Sequence, residues 1–117
     1  MELEYLLFDA TDEEDGSCSF DALASVTPDH ISRLAGEITQ VLGWAHRSFG
    51  AAVPAEDGGG WDFDLQAVGE DDAPLTIMYE AASGRLVLPH VRSRVTVALT
   101  VSGPRAFADA FREAFAG

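Results

Sequence analysis

Between Ile31 and Phe49 the apolar residues Ile31, Leu34, Ile38, Val41, Leu42, Ala45 and Phe49 recur at three- and four-residue steps. In a helix that spacing gathers them into one stripe, which must be covered by another layer. The run also carries start and stop signals. Thr27 is a good N-cap, Pro28 suits the first helical position, and Asp29 puts an anion in the first turn. Gly50 ends the pattern. About 22 residues at 1.5 Å each give a rod of roughly 33 Å, long enough to cross a whole sheet.

The rest of the chain reads mainly as strands that could form that sheet. Arg92–Val101 is the strongest: Val95, Val97, Leu99 and Val101 face one way, and Arg94, Thr96, Ala98 and Thr100 the other. Trp61–Val68 alternates as cleanly, with Trp61, Phe63, Leu65 and Ala67 inward and Asp62, Asp64 and Gln66 outward. Leu3–Asp9 reads as a first strand, Thr11–Ser19 as an acidic loop, and Phe20–Val26 as a short second strand. Leu75–Tyr79 and Arg85–Leu88 form a hairpin around Ser83-Gly84. Gly103-Pro104 opens a last helix with Phe107, Ala108, Phe111, Ala114 and Phe115 on one face. The order β-β-α-β-β-β-α predicts an α+β two-layer sandwich. A single mostly antiparallel sheet of about five or six strands carries the long helix and the C-terminal helix on one face. Residues 1–117 are read as one globular domain, large enough to bury roughly two thirds of its unfolded surface.

Charge is divided along the chain. Residues 1–80 hold eighteen Asp/Glu against Arg33 and Arg47, a net of −16; residues 81–117 hold five Arg against Asp109 and Glu113, a net of +3. There is no lysine, which excludes a Walker A lysine, a Schiff base and a Ser–Lys pair. A net of −13 without a basic stripe argues against nucleic-acid partners and anionic membranes. Cys18 is the single cysteine, the N-terminus lacks a basic signal-peptide region, and no apolar run reaches a membrane span. A reducing cytoplasm is the expected compartment. Eighteen Ala and seven Arg without Lys suggest a GC-rich bacterial coding sequence.

Few residues point to chemistry. Counting back from Gly16 as an EF-hand glycine puts Thr11 at position one and Ala22 at position twelve, so the acidic run Asp9–Asp15 does not fit a calcium loop. No metal and no cofactor is expected. Asp62 and Asp64 point the same way from one strand and could bind a hard metal or share a proton. Their favoured reading is cross-strand pairing with Arg92 and Arg94. Asp62, Asp64, His90 and Arg92 are nevertheless the weak catalytic candidates of the alternative function, a small enzyme, metal-assisted or not, on the outer sheet face. Cys18 beside four acids should have a raised pKa and be a poor nucleophile. Gly58–Gly60 precedes a strand, not a helix, and so does not make a phosphate cradle. Trp44, Trp61, Tyr5, Tyr79 and the phenylalanines read as core before they read as a pocket lining.

The side of the long helix away from the apolar stripe carries Ser32, Gly36, Thr39 and Gly43 at steps of four, three and four. Each mid-helix glycine costs roughly 1 kcal/mol relative to alanine, and small residues at this spacing let another backbone approach. These four are the candidate partner-binding residues, for a second copy in a homodimer or for a bound segment. The expected function is that of a small acidic, non-catalytic protein-binding domain with an inhibitor, chaperone-like or adaptor role. Its partner would carry a basic surface.

Overall fold

The computed structural model describes residues 3–53 and 60–116. Its order is β1 (Asp9–Asp12), β2 (Cys18–Val26), α1 (Ile31–Phe49), β3 (Asp62–Val68), β4 (Pro74–Leu75), β5 (Met78–Glu80), β6 (Arg85–Val87), β7 (Val95–Gly103) and α2 (Arg105–Phe111). A π-type turn over Arg112–Ala116 continues α2. The main sheet is antiparallel with strand order β1-β2-β7-β3-β4, and β5 and β6 form a separate two-stranded sheet. Both helices bury their apolar faces against the inner side of the main sheet. The α+β two-layer architecture is the one the patterning calls for.

β7 is the centre. It pairs with β2 over its full length, from Val26↔Val95 to Cys18↔Gly103, and with β3 from Val68↔Thr96 to Asp62↔Ser102. Its odd-numbered residues are all buried, as are the even-numbered residues of β2. Against them α1 sets Leu34, Ile38, Val41, Leu42 and Ala45, each at 2% exposure or less. Each fully buried aliphatic side chain of this kind contributes about 1.5–3 kcal/mol, so the stripe is the main attachment of α1. The α2 residues Phe107 and Phe111 close the core beside it: Trp61 stacks on Phe107 at 5.7 Å and Phe20 on Phe111 at 4.3 Å.

Four local expectations are corrected. Leu3–Asp9 is not the first strand; Leu3–Phe8 runs irregularly and pairing begins at Asp9. The reason is Glu37 on α1, whose carboxylate accepts from the backbone N–H groups of Glu4 (2.7 Å), Tyr5 (3.0 Å) and Leu6 (3.0 Å). Those amides are taken by a side chain and cannot join a ladder. The acidic loop accordingly shrinks to a tight turn, in which Glu13 N–H donates to the Ser17 carbonyl and Gly16 takes φ +92°. At the other end of β2, Thr27-Pro28 opens a 3₁₀ turn, Pro28–His30, and α1 proper starts at Ile31. The Thr27 hydroxyl donates to Asp29 instead of capping a backbone N–H. Finally, Leu75–Tyr79 is two strands, β4 and β5, which belong to different sheets.

Gly103, the last residue of β7, shows how tightly α2 is seated. A Cβ there would lie 2.8 Å from Phe107 Cβ and 2.6 Å from its ring. Overpacking of this kind costs about 1–3 kcal/mol. Gly103→Ala should therefore lower the urea midpoint by that amount of stability, with no change in the denaturant slope.

Candidate functional site

Among the described residues no helix covers the outer side of the main sheet, and the strand register arranges its side chains in rows. One row crosses four strands as Asp9, Asp21, Thr100 and Asp64. Asp64 thus lies across Thr100 from Asp21, and Asp9 stands directly opposite Asp21 on a paired strand. Like charges in that relation are destabilising. Asp21 accepts a 2.6 Å bond from the Thr100 hydroxyl, and Asp64 a 3.0 Å bond from the Gln66 amide. The row toward the β1–β2 turn holds Thr11, Ser19, Ser102 and Asp62; the row on the other side holds Leu23, Ala98 and Gln66. Leu23 is 70% exposed. Arg94 sits at the far end of this face and donates to the Ser25 carbonyl at 3.1 Å.

The C-terminal arginines reach acids elsewhere. Arg112 donates to the Asp12 carboxylate, lies 5.6 Å from the Phe20 ring centre, and comes within 3.4 Å of Cys18 Sγ. Arg105 lies over Gly16, where a Cβ would meet its guanidinium at 2.4 Å. The acidic turn is folded on itself: Asp15 accepts from the Ser17 N–H (2.9 Å) and hydroxyl (2.6 Å), and these bonds hold its carboxyl below the usual range. Among the described residues, no group of three or more His, Cys, Asp or Glu is placed to hold a metal ion.

Asp62, Asp64, His90 and Arg92 are not brought together. Asp62 lies opposite Ser102 near the end of β7 and borders a concavity of about 360 Å³ with Glu13, Asp15 and Cys18. His90 borders a different concavity of about 380 Å³, with Pro28, Ile31 and Ser32 at the start of α1. Roughly 23 Å of strand separates Val95 from Ser102, and Arg92 precedes Val95. Pairing of Asp62 and Asp64 with Arg92 and Arg94 is therefore corrected: the acids face Ser102 and Thr100, and Arg94 is engaged with Ser25. The aromatic residues interlock as core; Trp44, for example, packs edge-on to Phe111 at 5.9 Å and Phe115 at 5.2 Å. His46 Nδ1–H donates to the Leu42 carbonyl at 2.8 Å while its ring abuts Trp61. Of the glycine triplet, Gly58 and Gly59 lie outside the described residues.

The small-residue stripe of α1 divides in two. At one end a Cβ on Gly43 would lie 3.7 Å from the Tyr79 hydroxyl and 3.0 Å from the Arg47 guanidinium, so the β5–β6 hairpin of the same chain comes down there. Gly36 is exposed and a Cβ on it would touch nothing, Ser32 is exposed, and the Thr39 hydroxyl donates to the Gly36 carbonyl. The partners of Asp64 in the carboxylate row, Asp9 and Asp21, were not legible as site residues, because their alignment depends on the β1–β2 register. Asp21-Leu23-Ser25, alternating outward, was the available signal.

Gly36→Ala should raise stability by about 0.5–1 kcal/mol in urea melts, since alanine costs the helix less and meets no neighbour within the chain. Gly43→Ala should gain less, because Arg47 must move. Separately, burial first and the adjacent Asp12 second push the Cys18 thiol up. The stability tied to the neutral thiol is full below its ordinary pKa and is lost as pH rises through the raised native value. Cys18→Ala should flatten the alkaline fall of the melting midpoint, and native Cys18 should react sluggishly with a disulfide reagent at neutral pH. No protein-family model, curated protein or solved structure matches this chain.

Proposed function

We propose that this protein is a non-catalytic binding domain acting in the cytoplasm, and that it takes a partner with a basic surface on the outer face of its main sheet. The observation that carries this reading is the row Asp9, Asp21, Thr100 and Asp64, which puts three carboxylates on one exposed face of the sheet with hydroxyl and amide neighbours. A cationic patch laid over the row would turn a local repulsion into attraction. Long-range attraction of this sort speeds encounter and weakens with salt, as the Debye length falls below the reach of the row. Exposed Leu23 beside the row offers apolar area to the same partner. Among the described residues no helix is long and apolar enough to cross a membrane, which is compatible with this role.

The triple variant Asp9→Asn/Asp21→Asn/Asp64→Asn separates function from folding. It should be at least as stable as wild type in thermal melts, because like-charge neighbours are removed. On an affinity matrix it should lose the proteins that wild type retains from native extract at low salt and releases as salt rises. Retention of the same set by both chains, with the same salt profile, would overturn the reading.

A further inference from the structure

The main sheet has an interruption along one edge. In an antiparallel ladder the N–H and C=O of successive residues point alternately to the two neighbouring strands. On β3 the even-numbered residues face β7. The odd-numbered ones face outward: the Trp61 carbonyl accepts from Val53 N–H at 2.8 Å, Ala67 pairs with Leu75, and Gly69 N–H donates to Ala73 at 2.8 Å. Between Trp61 and Ala67 stand Phe63 and Leu65, and among the described residues no strand lies across them. β4 is two residues long, and past Leu75 the chain leaves the ladder. That departure opens a cleft of about 380 Å³, with residues 65–68 on one wall and 74–77 on the other. Between the Val53–Trp61 contact and the Ala67–Leu75 pair, residues 62–66 have no described strand opposite them, about 17 Å of extended chain.

We infer that this gap in the edge of β3 is a docking slot for a short extended segment of a partner, about five residues long, alternating basic and apolar side chains. This rests on the reading of the protein as an acidic binding domain and names the segment it would recognise. A strand lying antiparallel to β3 exchanges hydrogen bonds with Phe63 and Leu65 through residues whose side chains share their inner face, beside half-buried Phe63, Leu65 and Ile77. The intervening residues fall opposite Asp62, Asp64 and Gln66 on the outer face, where cross-strand neighbours of opposite charge are favoured. Charge also selects the occupant. A second copy of this chain laid on the same edge would bring the Asp62 and Asp64 carboxylates of the two copies together, whereas arginine or lysine at those positions is attracted.

The test uses the full chain and two five-residue peptides with blocked ends. One is Arg-Val-Arg-Val-Arg; the other is the same with both valines N-methylated, which keeps the charge and removes the ladder donors. The unmodified peptide should bind at least about tenfold more tightly, and should slow amide exchange at Phe63 and Leu65 selectively. Equal binding of the two peptides, or unchanged exchange at Phe63 and Leu65, overturns the slot. If that equal binding still weakens in Asp21→Asn or at higher salt, the acidic-surface reading stands without it. Failure of both peptides to bind at low salt overturns the slot and the attraction to basic partners together.

Discussion

Everything in this molecule is arranged around β7. Paired along its length on both sides and roofed by α1, it is the only described strand whose two neighbours both run for seven residues or more. Val95, Val97, Leu99 and Val101 are at 1% exposure or less, so they join the sheet to the helix layer with no polar interruption. The helix stripe would be uncovered without them. β2 and β3 would have no common partner, and the outer rows of side chains would have no register.

The parts of this frame legible in the sequence are those where one local rule suffices. The stripe of α1 needs only a period of 3.6, and the faces of β3 and β7 need only alternation. What stayed hidden depends on residues far apart. Leu3–Asp9 looks like a strand, yet the amides of Glu4, Tyr5 and Leu6 are claimed by Glu37, a residue with no sequence mark of that role. Leu75–Tyr79 looks continuous. The chain turns out of the main sheet after Leu75 so that Tyr79 can reach α1 near Gly43. The spacing of Asp62 and Asp64 matches that of Arg92 and Arg94, but register decides pairing, and register places Thr100 and Ser102 opposite the acids. Of the candidate site, the acids of β3 are legible from alternation alone, whereas their alignment with Asp9 and Asp21 depends on the register of distant strands.

The edges of the main sheet are short and carry charge or proline. β1 closes one side with four exposed residues, two of them aspartates. β4 closes the other with two residues, one a proline placed opposite Val68, a non-hydrogen-bonded position where its missing N–H is not needed. Short, charged or proline-bearing edges discourage indiscriminate sheet growth. The interruption at Phe63 and Leu65 is short, and Asp62 and Asp64 on its outer face disfavour pairing with a second acidic copy.

The seat of the N-terminal segment has a consequence for which substitutions the chain start tolerates. Glu37 grips Glu4, Tyr5 and Leu6 by their main-chain amides, so the grip is blind to side-chain identity. Position 4 and the 74%-exposed Leu7 can drift without loosening the attachment, while Leu6 is held by its burial as well. What this stretch cannot accept is an imino acid at residues 4–6, since each one would delete a contact that no neighbouring group replaces.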